Sequence, residues 1–245
     1  MGYFNDISAV FLRNIYRRPK GAVRLAVLRR DLSTILPPRP WSVLDIGGGA
    51  GQMALWLAAQ GHRVTVVDVA ENLLAEGRRQ ALALGLADQV EFVAGDIFQR
   101  PPAPHDLLLC HAVLEWLPQQ RELLTLCKAN LRPGGWLSLM FYNRSAFEFA
   151  QYVFGNFDYL DRNYERSSAK LTPQFPCNSA EITAILQDLT LKIEKISNVR
   201  CFYDYMKPRD RERHRPEELV RRELALADRA EFRAVARYLH YLVQK

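Results

Sequence analysis

The stretch SVLDIGGGAGQ, at residues 42–52, joins a short apolar run to a cluster of four glycines. The apolar part has the length and composition of a buried strand. Glycine has no Cβ, so the turn after this strand can adopt positive φ and lets a ligand lie directly against the backbone. A strand that ends in such a turn is typical of an open α/β sheet, where ligands bind beyond the carboxyl ends of the strands.

The patterns on both sides of this stretch predict a doubly wound α/β fold. Short apolar runs alternate with helical patterns, which favours a mostly parallel sheet with helices on both faces. Predicted strands are 42–46, 63–68, 89–94, 106–110 and 136–142, and 191–196 and the last strand, 236–243, complete an antiparallel edge. Predicted helices are 51–60, 71–84, 119–131 and 179–189, and the turn RPGG precedes the fifth strand.

Composition narrows the class of protein. The chain has 245 residues, 49% of them hydrophobic and 24% charged, which is typical of a globular domain with a core. It contains no apolar stretch long enough to cross a bilayer and no signal-peptide pattern, so we expect a cytoplasmic protein. The net charge of +6 is compatible with an anionic partner.

The four cysteines are widely spaced and form no CxxC pair, which predicts neither a metal site nor a redox dithiol. We expect all four to be buried as small hydrophobic residues. They are Cys110, Cys127, Cys177 and Cys201.

Spacing of the glycines indicates which ligand class they serve. The dinucleotide fingerprint GxGxxG, begun at Gly47 and Gly49, would require glycine at position 52, where the chain has Gln52. This disfavours a nicotinamide oxidoreductase. The pattern is instead DxGxGxG, from Asp45 to Gly51.

Polar residues end the next three strands. Asp68 closes HRVTVVD, where a carboxylate can accept hydrogen bonds from both hydroxyls of a ribose. Gly95 and Asp96 end the third strand, where adenine would lie, and His111 ends the fourth. Helix caps at the two aspartates, and a purely structural histidine, are the alternatives.

The segments VLDIGGGAG, VVD, GD and NLRPGGWLSL resemble the class I S-adenosylmethionine-dependent methyltransferases over residues 40–143. That resemblance implies a seven-stranded, mostly parallel sheet and S-adenosylmethionine as cofactor. We expect one domain, 1–245, built from an N-terminal helical cap at 1–39, a cofactor-binding half at 40–143, and a substrate-side insertion with the C-terminal strands at 144–245.

A closer resemblance extends over nearly the whole chain. FLRNIYRRPKGAVR, HAVLEW, LSLMFYN, GNFDY, VRCFYDYM and RYLH are similar to the tRNA 5-carboxymethoxyuridine methyltransferase family. The resemblance implies methylation of a carboxylate on the wobble uridine, in the anticodon loop of tRNA, to its methyl ester. Cofactor contacts are implied at Arg24, Gly47, Gly48, Gly49, Asp68, Gly95, Asp96 and His111. Two departures are Ala50, where relatives are often acidic, and the sparsely basic segment DRNYERSSAK.

Methyl transfer to a carboxylate requires no general base, because the nucleophile is already ionised at pH 7. We therefore expect one arginine, with neutral donors beside it, to orient the substrate. The candidates are Arg200 with Tyr203, and Tyr142 with Asn143 at the end of the fifth strand. Aromatic packing and an ion pair between Arg200 and Asp204 are the structural alternatives.

Contact with RNA needs basic and aromatic surface. One basic stretch contains Arg13, Tyr16, Arg17, Arg18 and Lys20, and a second contains Lys207, Arg209, Arg211, Arg213 and Arg215. The second alternates in sign, which is typical of a solvated helix face, so charge alone does not indicate RNA binding. Phe157 or Tyr159 could stack on an unpaired base. The alternatives are a methyltransferase of a small carboxylic or phenolic metabolite, and a non-catalytic cofactor-binding protein.

Overall fold

A computed structural model describes residues 19–161 and 173–245. Its seven strands form one sheet in the order β3-β2-β1-β4-β5-β7-β6. The strands are β1 (Ser42–Ile46), β2 (Arg63–Asp68), β3 (Val90–Ala94), β4 (His105–His111), β5 (Leu131–Tyr142), β6 (Lys192–Val199) and β7 (Tyr238–Gln244). All pairings among β1 to β5 are parallel, and β7 runs antiparallel to both β5 and β6. The predicted doubly wound fold is confirmed.

The helices lie on both faces of the sheet. They are α1 (Pro19–Leu32), α2 (Gln52–Ala58), α3 (Glu71–Ala83), α4 (Gln120–Ala129), α5 (Arg144–Val153), α6 (Phe157–Asp161), α7 (Ser179–Asp188), α8 (Pro208–Arg211) and α9 (Pro216–Leu226). Neighbouring strand residues feed two separate cores, because successive side chains point to opposite faces. Val43 packs with α1, α2 and α3, whereas Leu44 packs with α4 and α7.

Two boundaries differ from the prediction for visible reasons. The first described helix ends at Leu32, before the end of the predicted helical cap at residue 39, because the Thr34 hydroxyl donates to the Asp31 carbonyl oxygen at 2.7 Å and two prolines follow. The turn RPGG lies inside β5, where the register against β4 shifts between His105 and Leu107. The last two strands form the antiparallel edge as predicted, with β7 next to β5 and β6 outermost.

The segment after β5 covers the carboxyl end of that strand. It forms α5 and α6, and after residues 162–172 the chain returns to β5, where the Cys177 N–H donates to the Tyr142 carbonyl oxygen at 2.9 Å. All four cysteines are free and buried, as predicted. The first part of the predicted N-terminal helical cap, residues 1–18, lies outside the described residues.

Candidate active site

A cavity of about 680 Å³ opens at the carboxyl ends of the central strands. It lies where the strand order reverses, since β1 pairs with β2 on one side and with β4 on the other. Such a switch point is the usual ligand site of an open α/β sheet. All eight residues for which the sequence predicts cofactor contacts line this cavity: Arg24, Gly47, Gly48, Gly49, Asp68, Gly95, Asp96 and His111.

The glycine turn forms the floor of the cavity, and its glycines are required for two different reasons. Gly47, Gly49 and Gly51 have φ of 63°, 57° and 70°, a region that residues with a Cβ rarely adopt. Gly48 has ordinary φ, but a Cβ there would lie 2.5 Å from the Asp45 carboxyl carbon. The bare backbone therefore results from both the turn geometry and the buried aspartate beneath it.

Asp68 both caps the turn and lines the cavity. Oδ2 accepts the Gly49 N–H and Oδ1 accepts the Ala70 N–H, each at 2.8 Å. A carboxylate has about four lone-pair positions, so two remain for a ligand. Burial raises the pKa of Asp68, and these backbone hydrogen bonds oppose the shift. The capping and ribose-binding interpretations are thus compatible.

The end of β3 supplies a second carboxylate and an open backbone. Asp96 Oδ1 accepts the Phe98 N–H at 3.0 Å, which caps a short 3₁₀ turn at Ile97–Gln99. A Cβ at Gly95 would meet nothing within 4 Å, so this edge faces the open cavity. Gly95 and Asp96 thus line the cavity at the end of β3, and their contact with adenine stays a prediction.

His111 reaches the cavity from the end of β4. Its Nε2 lies 2.8 Å from the Ser138 hydroxyl oxygen. Burial is the largest cause that lowers the pKa of His111 well below its usual value, so the ring is neutral. Ala112, the next residue, has φ of 60°, and such backbone strain is common at functional sites.

The cavity carries an excess of acidic groups. Burial, and then the charge of Asp68, raise the pKa of Asp45 to about 8, while Arg24 opposes the shift. Arg24 Nε and Gln52 Oε1 are buried in the lining and have no hydrogen-bond partner among the described residues. A bound cation with its own polar groups would stabilise these carboxylates and supply the missing partners.

The glycine turn, the carboxylates and the unpartnered polar atoms of the cavity together fit S-adenosylmethionine, which carries a sulfonium, a ribose and an adenine. This fold and this site define a class I S-adenosylmethionine-dependent methyltransferase. Residues 44–137 match a family model described as a methyltransferase domain. Along 99% of its length the chain is 35% identical to the tRNA 5-carboxymethoxyuridine methyltransferase of Escherichia coli strain K12, covering 95% of that protein. The chain belongs to the tRNA 5-carboxymethoxyuridine methyltransferase family.

Two further comparisons show what is shared more widely. Magnesium protoporphyrin IX methyltransferase from Synechocystis, solved with bound S-adenosylhomocysteine, has a TM-score of 0.68 at 14% identity and covers 99% of this chain and 96% of that one. A ubiquinone biosynthesis O-methyltransferase from Xylella fastidiosa strain 9a5c is 31% identical over 161 residues, which is 64% of this chain and 63% of that protein. The cofactor of the protein described by residues 19–161 and 173–245 is S-adenosylmethionine.

The residues predicted to orient the substrate lie outside the lining of the cofactor cavity. The Arg200 guanidinium pairs with Asp204, its Nε donating at 2.8 Å, and lies 5.5 Å from the ring centre of Tyr238. Tyr203 is buried beneath Arg211, and its backbone N–H donates to Glu223 at 2.8 Å. Thus Arg200 forms the structural ion pair that the sequence offered as an alternative. The catalytic roles of Arg200, Tyr203 and Tyr142 stay predictions.

Tyr142 and its neighbour Asn143 differ in what they offer a substrate. The Tyr142 hydroxyl is buried without a hydrogen-bond partner among the described residues, and burial raises its pKa. Asn143 is satisfied by the protein. Its Oδ1 accepts the Ser145 N–H at 3.2 Å, and its Nδ2 donates to the carbonyl oxygens of Arg233 and Ala236 at 3.0 Å. Asn143 is therefore a helix cap and a loop anchor, and its contact with substrate stays a prediction.

Two charged groups near Tyr142 were missed by the sequence reasoning. The half-buried Arg237 stacks over the Tyr142 ring, 4.7 Å from its centre, and makes no ion pair with a described carboxylate. Glu115 is 1% exposed, and neither oxygen has a well-formed hydrogen bond within the described chain. Burial raises the pKa of Glu115 to about 8, although nearby backbone N–H groups and Arg24 lower it. Only the motifs RYLH and HAVLEW, which carry these residues, could have drawn attention to them.

The predicted RNA-facing residues are only partly visible. Arg13, Tyr16, Arg17 and Arg18 lie outside the described residues. In the second stretch, exposed Arg209 and Arg213 both lie near Asp210, whereas Arg211 donates to the Asp204 carbonyl oxygen at 3.0 Å. Phe157 is 55% exposed on α6, while the Tyr159 ring packs against Phe147.

Among the helices at 19–161 and 173–245, none is long and apolar enough to cross a membrane. The same residues contain no group of three or more His, Cys, Asp or Glu side chains that could hold a metal ion.

Proposed function

We propose that this enzyme methylates the carboxylate of 5-carboxymethoxyuridine at the wobble position of tRNA and forms the methyl ester. The observation that carries the proposal is the extent of the similarity. The tRNA-modifying relative aligns with 99% of the chain, whereas the ubiquinone O-methyltransferase aligns with 64%. A cofactor-binding half alone would be shared with both, so the additional similarity supports a common substrate.

The chemistry fits a site without a strong base. S-adenosylmethionine supplies a methyl carbon activated by a positively charged sulfur. The substrate carboxylate is ionised at neutral pH, so the protein has only to hold it in line and exclude water. Positioning of this kind lowers the activation free energy by up to about 7–11 kcal/mol.

Arg200, Arg237 and the tyrosines between them are suited to hold that carboxylate. The rings of Tyr142 and Tyr238 meet edge to face at 5.3 Å, with one arginine stacked on each. Asp204 already neutralises the charge of Arg200. Arg237 is therefore the guanidinium that can pair with the substrate carboxylate. The unpartnered Tyr142 hydroxyl offers a neutral donor close to it. A single available cation orients the nucleophile without binding its charge so strongly that transfer is opposed.

The anticodon loop would dock on the surface around the α5–α6 segment, where Phe157 is exposed for base stacking. Its phosphates would contact the basic residues of the α8 region, Lys207 and Arg209 among them. The tRNA substrate is met in the cytoplasm, and we expect the enzyme to act there.

The experiment compares three substrates with purified enzyme and S-adenosylmethionine. These are tRNA that carries 5-carboxymethoxyuridine, the same tRNA transcribed without modification, and a panel of small aromatic carboxylic acids and phenols. Nucleoside mass spectrometry should find the methyl ester in the first only. Equal methylation of the unmodified transcript, or turnover confined to the small molecules, would refute the proposal.

Salt gives an independent check with the same materials. Phosphate contacts make the logarithm of RNA affinity fall linearly with the logarithm of salt concentration. We therefore expect KM for tRNA to rise steeply with salt while the affinity for S-adenosylmethionine changes little. A flat salt response of KM would contradict docking through phosphates.

A further inference from the structure

Four hydrogen-bonding side chains connect the cofactor cavity to a surface cluster of charges. His111 Nε2 lies 2.8 Å from Ser138 Oγ, and Ser138 Oγ lies 2.8 Å from His240 Nε2. His240 Nδ1 in turn lies 2.8 Å from Asp31 Oδ2. Ser138, His240 and Asp31 are 0% exposed, so water cannot replace any of these contacts. We call this chain of four residues the histidine relay.

The register of the sheet explains why these residues meet. His111 of β4 and His240 of β7 both pair with Met140 of β5, one from each side. Ser138 precedes Met140 by two residues, so its side chain points to the same face and lies between the two rings. The ring centres are 6.0 Å apart. Asp31 completes the relay from α1, which packs on that face.

Asp31 has two cationic partners besides His240. Arg30 and Lys195 contact Asp31 Oδ1 at 2.8 and 3.0 Å, and both also approach Asp228, at 2.8 and 3.6 Å. Two cations thus balance two carboxylates. Burial alone would raise the pKa of Asp31, but the neighbouring His240, and then Ser197 and Arg30, hold it well below its usual range. A proton on the fully buried His240 would set three positive charges against the two carboxylates, which favours the neutral ring.

A neutral His240 gives the relay one direction. The ionised Asp31 can only accept, so His240 donates from Nδ1 and carries a lone pair on Nε2. Ser138 therefore donates its O–H to His240 Nε2. Its oxygen is then left to accept the N–H of His111 Nε2.

We propose that the histidine relay fixes His111 as the Nε2–H tautomer, so that Nδ1 presents a hydrogen-bond acceptor to the ammonium group of the methionine part of S-adenosylmethionine. His111 Nδ1 makes no hydrogen bond to a described residue, and the ring lines the cavity. Asp68 and Gly95 place the ribose and adenine toward β2 and β3, on the far side of β1 from His111. The methionine end therefore lies toward β4. Asp31, Ser138 and His240 act as positioning residues, since they contact His111 or one another and not the cavity.

The first test needs no variant and no RNA. In enzyme labelled with 15N-histidine, long-range nitrogen–proton correlation spectra distinguish protonated from unprotonated ring nitrogens. We expect opposite tautomers for the two rings, Nε2–H for His111 and Nδ1–H for His240. Addition of S-adenosylhomocysteine should shift the His111 Nδ1 resonance. An Nδ1–H tautomer of His111 would overturn the proposal. Because the substrate is absent, this outcome is independent of whether tRNA is methylated.

The second test breaks the relay with Ser138→Ala, which removes the hydroxyl without adding volume. In this variant His111 should become a mixture of tautomers. The affinity of the variant enzyme for S-adenosylhomocysteine should fall about tenfold, because one hydrogen bond to a charged group is weakened. An analogue of that ligand without the amino group should bind wild type and Ser138→Ala equally. Unchanged tautomer and affinity in Ser138→Ala would overturn the proposal.

A matched control is Ser197→Ala, which removes another hydroxyl that is 0% exposed, on β6. Ser197 contacts Arg30 at 3.1 Å and hydrogen-bonds Asp31, but it makes no hydrogen bond to His240, Ser138 or His111. This variant should keep the Nε2–H tautomer of His111 and the wild-type affinity. If Ser197→Ala changes both as much as Ser138→Ala does, general loosening of the core explains the effect and the relay is rejected.

Discussion

Replacement of Asp68 tests the assignment of the cofactor cavity most directly. Gly49 and Ala70 N–H groups occupy two of about four lone-pair positions on its carboxylate, and the other two remain for the ribose hydroxyls. A hydrogen bond to a charged group is worth about 1.5–3 kcal/mol, and about 1.4 kcal/mol corresponds to tenfold in affinity. Asp68→Ala should therefore raise the Kd for S-adenosylhomocysteine at least tenfold.

The assay is isothermal titration calorimetry, with thermal unfolding of the ligand-free protein as a check on the fold. Asp68→Ala also removes the acceptor of the Gly49 N–H, so some loss of stability is expected. Asp88→Ala, at an exposed position, serves as the control and should bind normally. A ligand that lacks both ribose hydroxyls separates the two roles: it should bind the wild type at least tenfold more weakly and be nearly unaffected by Asp68→Ala. Wild-type affinity in Asp68→Ala would refute ribose binding by this carboxylate.

Two other predictions concern charged groups. Arg237→Lys removes the planar guanidinium that stacks on Tyr142, and we expect kcat/KM for tRNA to fall about tenfold or more at unchanged cofactor affinity. Arg222→Lys, at an exposed position, is the control. Equal activity of the two variants would exclude Arg237 from substrate binding. Folding raises the pKa of Asp45 from 3.8 to about 8, so the native state holds the proton more tightly and the ligand-free protein loses stability as pH rises across that interval. Asp45→Asn cannot titrate and should gain in unfolding temperature relative to wild type between pH 5 and pH 8; parallel pH profiles in unfolding scans would contradict the raised pKa.

Much of the fold was predictable because its signals are local. Strands 42–46 and 63–68 were predicted with the bounds that the structure has, since each is a short apolar run between a breaker and a helix. The glycine turn and the carboxylates that follow β2 and β3 could also be placed, because parallel strands end at one edge of a sheet. The position of β7 within the sheet could not be predicted, because nothing in the residues of β7 shows that this strand inserts between β5 and β6.

The amino-acid sequence alone indicated the class of fold and the glycines and strand-end residues that line part of the cavity, because periodicity, glycine spacing and strand ends are properties of neighbouring residues. The resemblance to a known family implied the cofactor and added Arg24. Only the tertiary structure decided which side chains beyond that cavity act together. Asp31 and His240 are 209 residues apart, and Ser138 looks like an ordinary strand residue until the register sets it between two histidines. The same holds for Arg200, which pairs with Asp204, and for Arg237, which forms no ion pair with a described carboxylate. Hydrogen bonds and ion pairs act over a few ångströms, so the folded arrangement, and not the order of residues, selects the partners.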